Sequence, residues 1–316
     1  WSNIKEEKMN QILLTKYNTV EEMKEKLETV TENTVFAEAT IDCYWGTGLT
    51  PELTKTTESE MWPGKNRLGY LIKEIITLTF YTINARGLQN DNKRDAFSSF
   101  LQAQGIDIVI VQDTHFVHKN GKIFNGFDTY CHCPSNSSTT GVSILVRTSE
   151  KNITLTKRFS SVDGRILIVK LEHNNKSLTV VNVHAPEDEI KKEFFMKTLL
   201  MVMKRFCEKH DTVLCGDLNS DIELCPVSLT TLGRILAVQN LVDGWSKSGK
   251  SCSDRITHRA SQNSRLNNLY VCRDICLSLD EISVLNCPAL SENGISGHLG
   301  ICFKINTGVL KGVKQK

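Results

Sequence analysis

The residues with the clearest capacity for chemistry follow a short apolar segment, Thr212–Cys215. Gly216 comes next, and Asp217 and Asn219 then stand two positions apart. β-Branched and apolar residues favour a buried strand here, and side chains two positions apart at a strand end point the same way. A carboxylate beside an amide pairs a proton acceptor with a neutral donor, which suits activation of water near an anionic phosphate. The same residues also form an ordinary turn after a strand, so both interpretations are open at this point.

Nearly every predicted strand has a polar residue at or near its end. In chain order these residues are Asn84, Asp113, His184, Asp217 with Asn219, Asn267 and His298. Strand ends that meet at one edge of a pair of sheets form a polar cleft, where functional residues concentrate. The pattern therefore predicts that these side chains line a single site.

The chain has two parts with different patterns. Residues 1–76 are charged and mainly helical in pattern, and residues 77–306 alternate strands with helices. Predicted helices cover Glu6–Tyr17, Val20–Val30, Tyr70–Ile75, Glu187–Cys207 and Leu229–Val242, whereas residues 119–140 form a polar loop. Many short strands and few long helices predict an α/β fold with two packed mixed β-sheets and outer helices, a four-layer sandwich. A basic tail, residues 307–316, ends the chain.

Composition limits the class of protein. With 40% hydrophobic and 23% charged residues, the chain is typical of a globular protein, and its net charge of +2 neither requires nor excludes nucleic acid. No apolar segment reaches membrane-spanning length, so we expect no membrane association. Because the chain begins with Trp1, we interpret it as truncated, without a secretory signal. Eleven scattered cysteines favour reduced thiols in an intracellular protein, nuclear or cytoplasmic.

One cysteine- and histidine-rich segment raises the question of zinc. Cys131, His132 and Cys133 are adjacent, and His115 and His118 precede them. This spacing matches no standard tetrahedral motif, in which paired cysteines are separated by two to four residues. We therefore expect loop residues here and no zinc site.

Two motifs in the first part carry a resemblance to a known domain. They are Glu38–Gly48 and Gly64–Gly69, in that order, and the segment resembles the C-terminal part of a NADAR domain. The resemblance implies a pocket for an ADP-ribose-related nucleotide, whose N-glycosidic bond is cleaved. Its residues would be Glu38, Asp42, Trp45, Gly46 and Asn66; Glu38 and Asp42, four positions apart, would share one face of a helix. We expect the front half of the domain to be absent, so the alternative is a helical remnant without activity.

A second resemblance covers residues 77–306. Its motifs are Thr82–Leu88, Asp107–His115, Asp163–Arg165, Asn182–Pro186, Gly216–Asn219, Leu241–Trp245, Ser264–Leu266 and Ser296–His298. Together and in this order they resemble the endonuclease/exonuclease/phosphatase superfamily, which has the DNase I-like fold. The similarity is greatest to the endonuclease domains of LINE-type (non-LTR) retrotransposons.

This second resemblance implies a metal-dependent phosphodiester hydrolase that nicks DNA with Mg²⁺ or Mn²⁺. Asp217 would be the general base, while Asn84 and Asn219 would orient phosphate, water or metal. Asp113, with Asn84, would bind the metal ion, and His298 would contact the scissile phosphate. His184 and Asn267 complete the implied catalytic set.

Four positions depart from the superfamily pattern. Asp113 replaces a glutamate, His184 a tyrosine, and Asn267 and Gly297 each replace an aspartate. The loss of two carboxylates predicts a weak metal site and impaired activity. Asp163, Asp221 and Asp254 are candidates to replace them.

Three functions therefore follow from the sequence. The leading interpretation is a DNA-nicking endonuclease of LINE-type retrotransposon origin. The second is a catalytically dead remnant or nucleic-acid-binding module, and the third is an N-glycosidase that acts through Glu38 on ADP-ribose-related nucleotides. The sequence leaves the oligomeric state open.

Overall fold

A computed structural model describes residues 2–28, 30, 34–115, 121–132, 140–148, 153–220, 230–258, 264–291 and 297–310. The chain divides into two compact units. The first unit comprises Trp1–Thr77 and Asn306–Val309, and the second comprises Leu78–Ile305 and Leu310–Lys316. No helix within the described ranges combines the length and the apolar character needed to cross a membrane.

The first unit is helical, as predicted. Its helices are α1 (Ser2–Thr19), α2 (Glu21–Glu28), α3 (Pro51–Thr56) and α4 (Arg67–Ile75), with a 3-10 turn at Ser59–Met61. Leu13 and Tyr17 of α1, Leu27 of α2, and Leu71 and Ile75 of α4 are buried in one small core. The helix predicted over Val20–Val30 is α2, which begins at Glu21, and Thr19 is the last residue of α1.

The segment that carries Glu38 and Asp42 is not helical, so the prediction that they share a helix face is wrong. Asp42 Oδ1 accepts hydrogen bonds from the backbone nitrogens of Tyr44 and Trp45, both at 2.7 Å. The backbone nitrogen of Thr47 donates to the Glu38 carbonyl at 2.9 Å. Such local bonds offer the backbone an alternative to helical pairing.

The strands of the described chain form two sheets. In chain order they are β1 (Thr77–Asn84), β2 (Ile108–Gln112), β3 (Gly121–Phe124), β4 (Phe127–His132), β5 (Val142–Arg147), β6 (Ile153–Ser160), β7 (Ile166–His173), β8 (Lys176–His184), β9 (Thr212–Asp217), β10 (Leu241–Asp243), β11 (Asn267–Cys272), β12 (Leu279–Leu285) and β13 (Gly300–Asn306). The first sheet has the order β12-β13-β1-β2-β5-β4-β3, and the second has the order β10-β11-β9-β8-β7-β6. Each sheet contains a parallel pair, β1 with β2 and β8 with β9, beside antiparallel pairs.

Alternation along the strands explains how the sheets pack. Leu78 and Phe80 of β1 belong to the large core that also contains Val180 and Leu214 of the second sheet. Tyr81 and Ile83, on the opposite face of β1, belong to a separate core with Phe97 and Leu101 of a helix. Because successive side chains of a strand point to opposite faces, β1 contributes to the core on each side of the first sheet.

Helices cover the outer faces of the sheets. They are α5 (Asp91–Ala103), α6 (Glu189–Phe206), α7 (Thr231–Gln239), α8 (Arg273–Ser278) and α9 (Pro288–Ser291). Phe97 and Leu101 are buried on α5, and Phe195 and Leu199 on α6. The predicted four-layer α/β sandwich is confirmed.

Several local predictions are wrong. Within the range predicted as a polar loop, β3 and β4 form, because β4 pairs with β5 along its length. The helix predicted through Val242 ends at Gln239, since Asn240 adopts a left-handed φ of +56°, and Leu241–Asp243 pairs with β11. Strand β6 is largely exposed and polar, so pairing with β7 and not its own pattern makes it a strand.

Candidate active site

The site is built on the carboxyl ends of the two parallel strand pairs. Asn84 ends β1, and Asp113 follows β2 directly. His184 and Asp217 end β8 and β9, where they are paired neighbours in the register. Asn267 begins the antiparallel strand β11 opposite Asp217. Carboxyl ends of parallel strands are common binding positions in α/β folds, and here they bring residues far apart in sequence together.

Three backbone conformations near the strand ends shape this edge. Gly216 has a φ of +144°, and a Cβ atom there would lie 2.0 Å from the Val183 carbonyl oxygen, so only glycine fits. Asp113 and Asn219 adopt left-handed φ values of +57° and +47°. The left-handed conformation is uncommon for residues other than glycine, and it turns the chain sharply as each strand ends.

Asp217 is the centre of the site. Its side chain is buried, with the residue 1% exposed. Asn84 Nδ2 donates to Asp217 Oδ2 at 2.8 Å, and the Asn219 backbone nitrogen donates to Oδ1 at 2.9 Å. Burial raises the pKa of this carboxyl above its ordinary value, against the lowering effects of His184 and the two hydrogen bonds. A buried carboxylate with a raised pKa is a better proton acceptor than an exposed one.

The two amide side chains are themselves held in place. Asn84 Oδ1 accepts a hydrogen bond from the Arg86 backbone nitrogen at 3.1 Å. Asn219 Nδ2 donates to the Ala185 carbonyl at 2.7 Å, and its own carbonyl accepts from Lys192 Nζ at 2.7 Å. These contacts fix the orientation of the donors that face Asp217.

Two imidazoles flank the Asp113 carboxylate. His115 Nε2 lies 2.7 Å from Asp113 Oδ1, and His184 Nδ1 lies 3.9 Å from the same oxygen. Burial lowers the pKa of His184, although the charges of Asp217 and Asp113 act in the opposite direction. His184 is therefore a neutral side chain at the wall of the cleft.

His298 stands on the other side of Asp217. Its Nε2 lies 3.9 Å from Asp217 Oδ2, and burial, with the neighbouring His258, Arg86 and His184, lowers its pKa to about 3. Asn267 Nδ2 donates to the Leu299 carbonyl at 3.1 Å. Asn267 Oδ1 is buried and has no hydrogen-bond partner among the residues that the structure describes.

The cleft also contains residues that the sequence analysis did not assign to the site. It has a volume of about 580 Å³, and Arg86, His115, Arg165, Lys191 and His258 line it. Arg165 Nη1 donates to the His184 carbonyl at 3.0 Å, which fixes the guanidinium at the cleft wall. Arg165 and His115 could have been found from the sequence, because each ends a motif of the second resemblance, Asp163–Arg165 and Asp107–His115. His258 had none, because a single histidine in a polar segment has no distinctive spacing.

The metal prediction depends on oxygen donors. The predicted ligands, Asp113 and Asn84, both line the cleft. Their side chains offer the oxygen atoms that Mg²⁺ and Mn²⁺ prefer as ligands. Within the described ranges, no three His, Cys, Asp or Glu side chains form a group that could hold a metal ion. Metal binding by Asp113 and Asn84 therefore stays a prediction.

The candidate replacement carboxylates lie elsewhere. Asp163 Oδ1 accepts from Ser161 Oγ at 2.5 Å in a turn, and Asp254 caps a short 3-10 helix at Ser251. Neither is among the residues that line the cleft. Asp221 lies outside the described residues, as do His118 and Cys133 of the segment considered for zinc.

The predicted pocket residues of the first unit have local structural roles. Asn66 Nδ2 donates to the Phe36 carbonyl at 2.7 Å, and its Oδ1 accepts from the Glu38 backbone nitrogen at 3.0 Å. Trp45 is half-buried and packs against the helical core, while Asp42 is exposed. A Cβ atom on Gly46 would lie 2.3 Å from Thr40 Oγ1. Asn66 therefore joins two chain segments, and Asp42 holds a local turn.

Comparison with known protein families agrees with both resemblances. Residues 81–229 match the model of the Endonuclease/Exonuclease/phosphatase family. Residues 1–77 match the model of the NADAR domain. Both resemblances inferred from the motifs are confirmed, and the match supports a phosphodiester hydrolase.

Individual relatives are distant. The Transposon TX1 uncharacterized 149 kDa protein of Xenopus laevis is 20% identical over 247 residues, which cover 72% of this chain and 18% of that protein. The endonuclease domain of TRAS1, a telomere-specific non-LTR retrotransposon, superposes with a TM-score of 0.58 at 14% identity, covering 73% of this chain and 99% of that one. An AP endonuclease from Leishmania major superposes with a TM-score of 0.60 at 14% identity, covering 73% and 88%. These likenesses show a shared fold.

Proposed function

We propose that the second unit nicks DNA by hydrolysing a phosphodiester bond, as an endonuclease of LINE-type retrotransposon origin. The observation that carries the proposal is the buried Asp217 carboxylate, held by Asn84 and the Asn219 backbone in an open cleft with His298 nearby. The names of the TX1 and TRAS1 relatives support the retrotransposon origin.

Asp217 acts as the base that takes a proton from the attacking water. Each of its oxygens receives one hydrogen bond from Asn84 or Asn219, so the carboxylate is oriented while lone pairs remain for a water molecule. The raised pKa of Asp217 makes it a stronger base than an exposed aspartate. Orientation and basicity together favour proton transfer to Oδ1 or Oδ2.

Cationic and neutral donors in the cleft bind the phosphate. Arg86, Arg165 and Lys191 line it and carry the charge that attracts the DNA backbone. His298, neutral because of its low pKa, donates a single N–H to a phosphate oxygen. A Mg²⁺ or Mn²⁺ ion held by Asp113 and Asn84 would supply further positive charge at the phosphate.

A second candidate, DNA binding without hydrolysis, is favoured by the environment of Asn267. By the resemblance, Asn267 stands where the superfamily has an aspartate. Its amide donates to the Leu299 carbonyl and, being uncharged, brings no negative charge to His298. An Asp-to-Asn change behind a catalytic histidine costs about 10⁴-fold in turnover in a different enzyme class.

Plasmid nicking distinguishes the two candidates. Purified protein is incubated with supercoiled DNA in Mg²⁺, in Mn²⁺ and in EDTA, with Asp217→Ala as the control. Metal-dependent relaxation that the Asp217→Ala protein lacks would support the endonuclease. DNA binding by a folded protein without relaxation above this control would support the binding module and contradict hydrolysis.

A further inference from the structure

A small antiparallel arrangement beside β11 determines the position of His258. His258 forms isolated bridges with Ser264 on one side and His298 on the other. The Leu299 backbone nitrogen donates to the Thr257 carbonyl at 2.7 Å, and the Asn267 nitrogen donates to Thr257 Oγ1 at 2.9 Å. The backbone around His258 is thus tied to the strand of Asn267 and to the segment of His298.

This backbone pairing brings two imidazoles together. Residues directly opposite in an antiparallel pair have side chains on the same face, close enough for contact. The ring centroids of His258 and His298 are 4.6 Å apart, with an angle of 59° between the planes. Since His298 Nε2 lies 3.9 Å from Asp217 Oδ2, His258 belongs to the same wall of the cleft.

The His258 ring keeps one polar atom without a partner. Its Nε2 is buried and has no hydrogen-bond partner among the residues that the structure describes. Burial and the nearby Arg86 lower its pKa, so the ring is neutral and carries one N–H. A buried polar atom without a partner costs about 1–3 kcal/mol, and one that lines a cleft can gain a partner from a bound ligand.

We propose that His258 is a second phosphate-contacting residue, which donates an N–H to the scissile phosphate beside His298. The proposal rests on the proposed function of the cleft and adds a residue to it. Two neutral donors on the phosphate oxygens stabilise the negative charge that accumulates during attack, without transferring a proton. The two histidines provide this stabilisation in a site where Asn267, an uncharged amide, brings no negative charge to His298.

Three substitutions at this position separate the loss of the N–H donor from the loss of the aromatic ring. His258→Gln keeps a neutral N–H donor but loses the ring, and His258→Phe keeps the ring but loses the donor. We expect His258→Phe and His258→Ala to nick roughly 100-fold more slowly at saturating DNA, because removal of one stabilising donor has this effect. His258→Gln should keep most of the rate. His210→Ala, at an exposed histidine outside the cleft, is the control and should nick normally.

A binding measurement keeps the test independent of catalysis. We expect a short DNA duplex, added to the wild-type protein in EDTA, to shift the ¹⁵N resonance of His258 Nε2. If the wild-type protein does not nick, the proposed hydrolysis fails, and the resonance shift alone decides whether His258 contacts phosphate. Absence of the shift, or normal nicking by His258→Phe, would overturn the proposal for His258.

Discussion

Asp42 of the first unit and Asp217 of the second show how the same side chain acquires opposite properties. Each carboxylate accepts two hydrogen bonds from N–H groups: Asp42 from Tyr44 and Trp45, and Asp217 from Asn84 and Asn219. The backbone donors lower the pKa of the exposed Asp42, whereas burial raises the pKa of Asp217. Hydrogen bonding alone therefore does not set the pKa of a carboxyl, because burial away from water can outweigh it.

The same contrast extends to the surrounding residues. In the first unit, both ends of the Asn66 amide bond to the backbone of a neighbouring segment. In the second unit, His258 and Asn267 keep buried polar atoms that no described residue satisfies. The Asn66 amide is thus fully used within the first unit, whereas His258, which lines the cleft, has a polar atom that a ligand can satisfy.

We expect the largest effect from substitution of one of two buried aspartates, Asp217 at the end of β9 and Asp211 directly before its start. Asp217→Asn should lower the nicking rate by roughly 10²–10⁴-fold, the usual contribution of a general base. Asp211, also buried with a raised pKa, bonds to Ser177 and Thr179 at the opposite end of the strand. Asp211→Asn is the matched control and should nick normally at a temperature where it is folded. Equal losses in both variants would show that buried charge, and not base chemistry, is being measured.

Glycine substitutions compare backbone constraint in the two units. Gly216→Ala should destabilise the second unit by roughly 3 kcal/mol, the upper range for forced overlap, because its Cβ meets the Val183 carbonyl at 2.0 Å. In Gly46→Ala the added Cβ would lie 2.3 Å from the Thr40 hydroxyl, which can rotate, and 2.8 Å from the Glu38 backbone carbonyl oxygen. Because this backbone overlap is milder than the one at Gly216, we expect a smaller loss of about 2 kcal/mol. Chemical denaturation of each variant gives both values. A larger loss for Gly46→Ala would contradict this ranking.

Asn66→Ala tests whether the Asn66 side chain stabilises the first unit or lines a nucleotide pocket. Removal of the two bonds to Phe36 and Glu38 should cost about 1–3 kcal/mol of stability, since buried backbone groups lose their partners. Nicking should not change. Thermal unfolding of wild type with and without ADP-ribose completes the test. A ligand-dependent rise in melting temperature that Asn66→Ala abolishes would instead support the predicted nucleotide pocket.

The smallest effect is a shift along the pH axis. Asp217 must be deprotonated to act as a base, and its pKa lies above the ordinary value of 3.8. The nicking rate should therefore fall on acidification with a midpoint above pH 3.8. The lowered pKa of Asp42 has the opposite consequence, because its contribution to stability is present above its unfolded pKa and is lost only as pH falls through the lower folded value. A pH–rate profile measures the midpoint of the nicking rate, and an acid-unfolding series measures the pH at which the contribution of Asp42 is lost. A rate midpoint at or below 3.8 would exclude Asp217 as the base.

Much of this protein follows from local pattern. Apolar segments such as Thr212–Cys215 predict buried strands, and polar residues at their ends predict a cleft at one edge. The structure places Asn84, Asp113, His184, Asp217, Asn219 and His298 around one cleft, with Asn267 behind it. Their individual catalytic roles remain predictions. The exposed strand β6 and the pairing of Leu241–Asp243 did not follow from pattern, because partner strands and not local residues stabilise them.

By itself, the sequence determined the fold class, the helical first unit and the residue types at the strand ends, since these depend on short-range periodicity and on motif order. Only the tertiary structure decided that Asp217 is buried with a raised pKa and that Asp42 is exposed with a lowered one. It alone placed His258 against His298, 40 residues further along the chain. The physical reason is that solvation and electrostatic environment arise from contacts between distant segments, which no local spacing specifies.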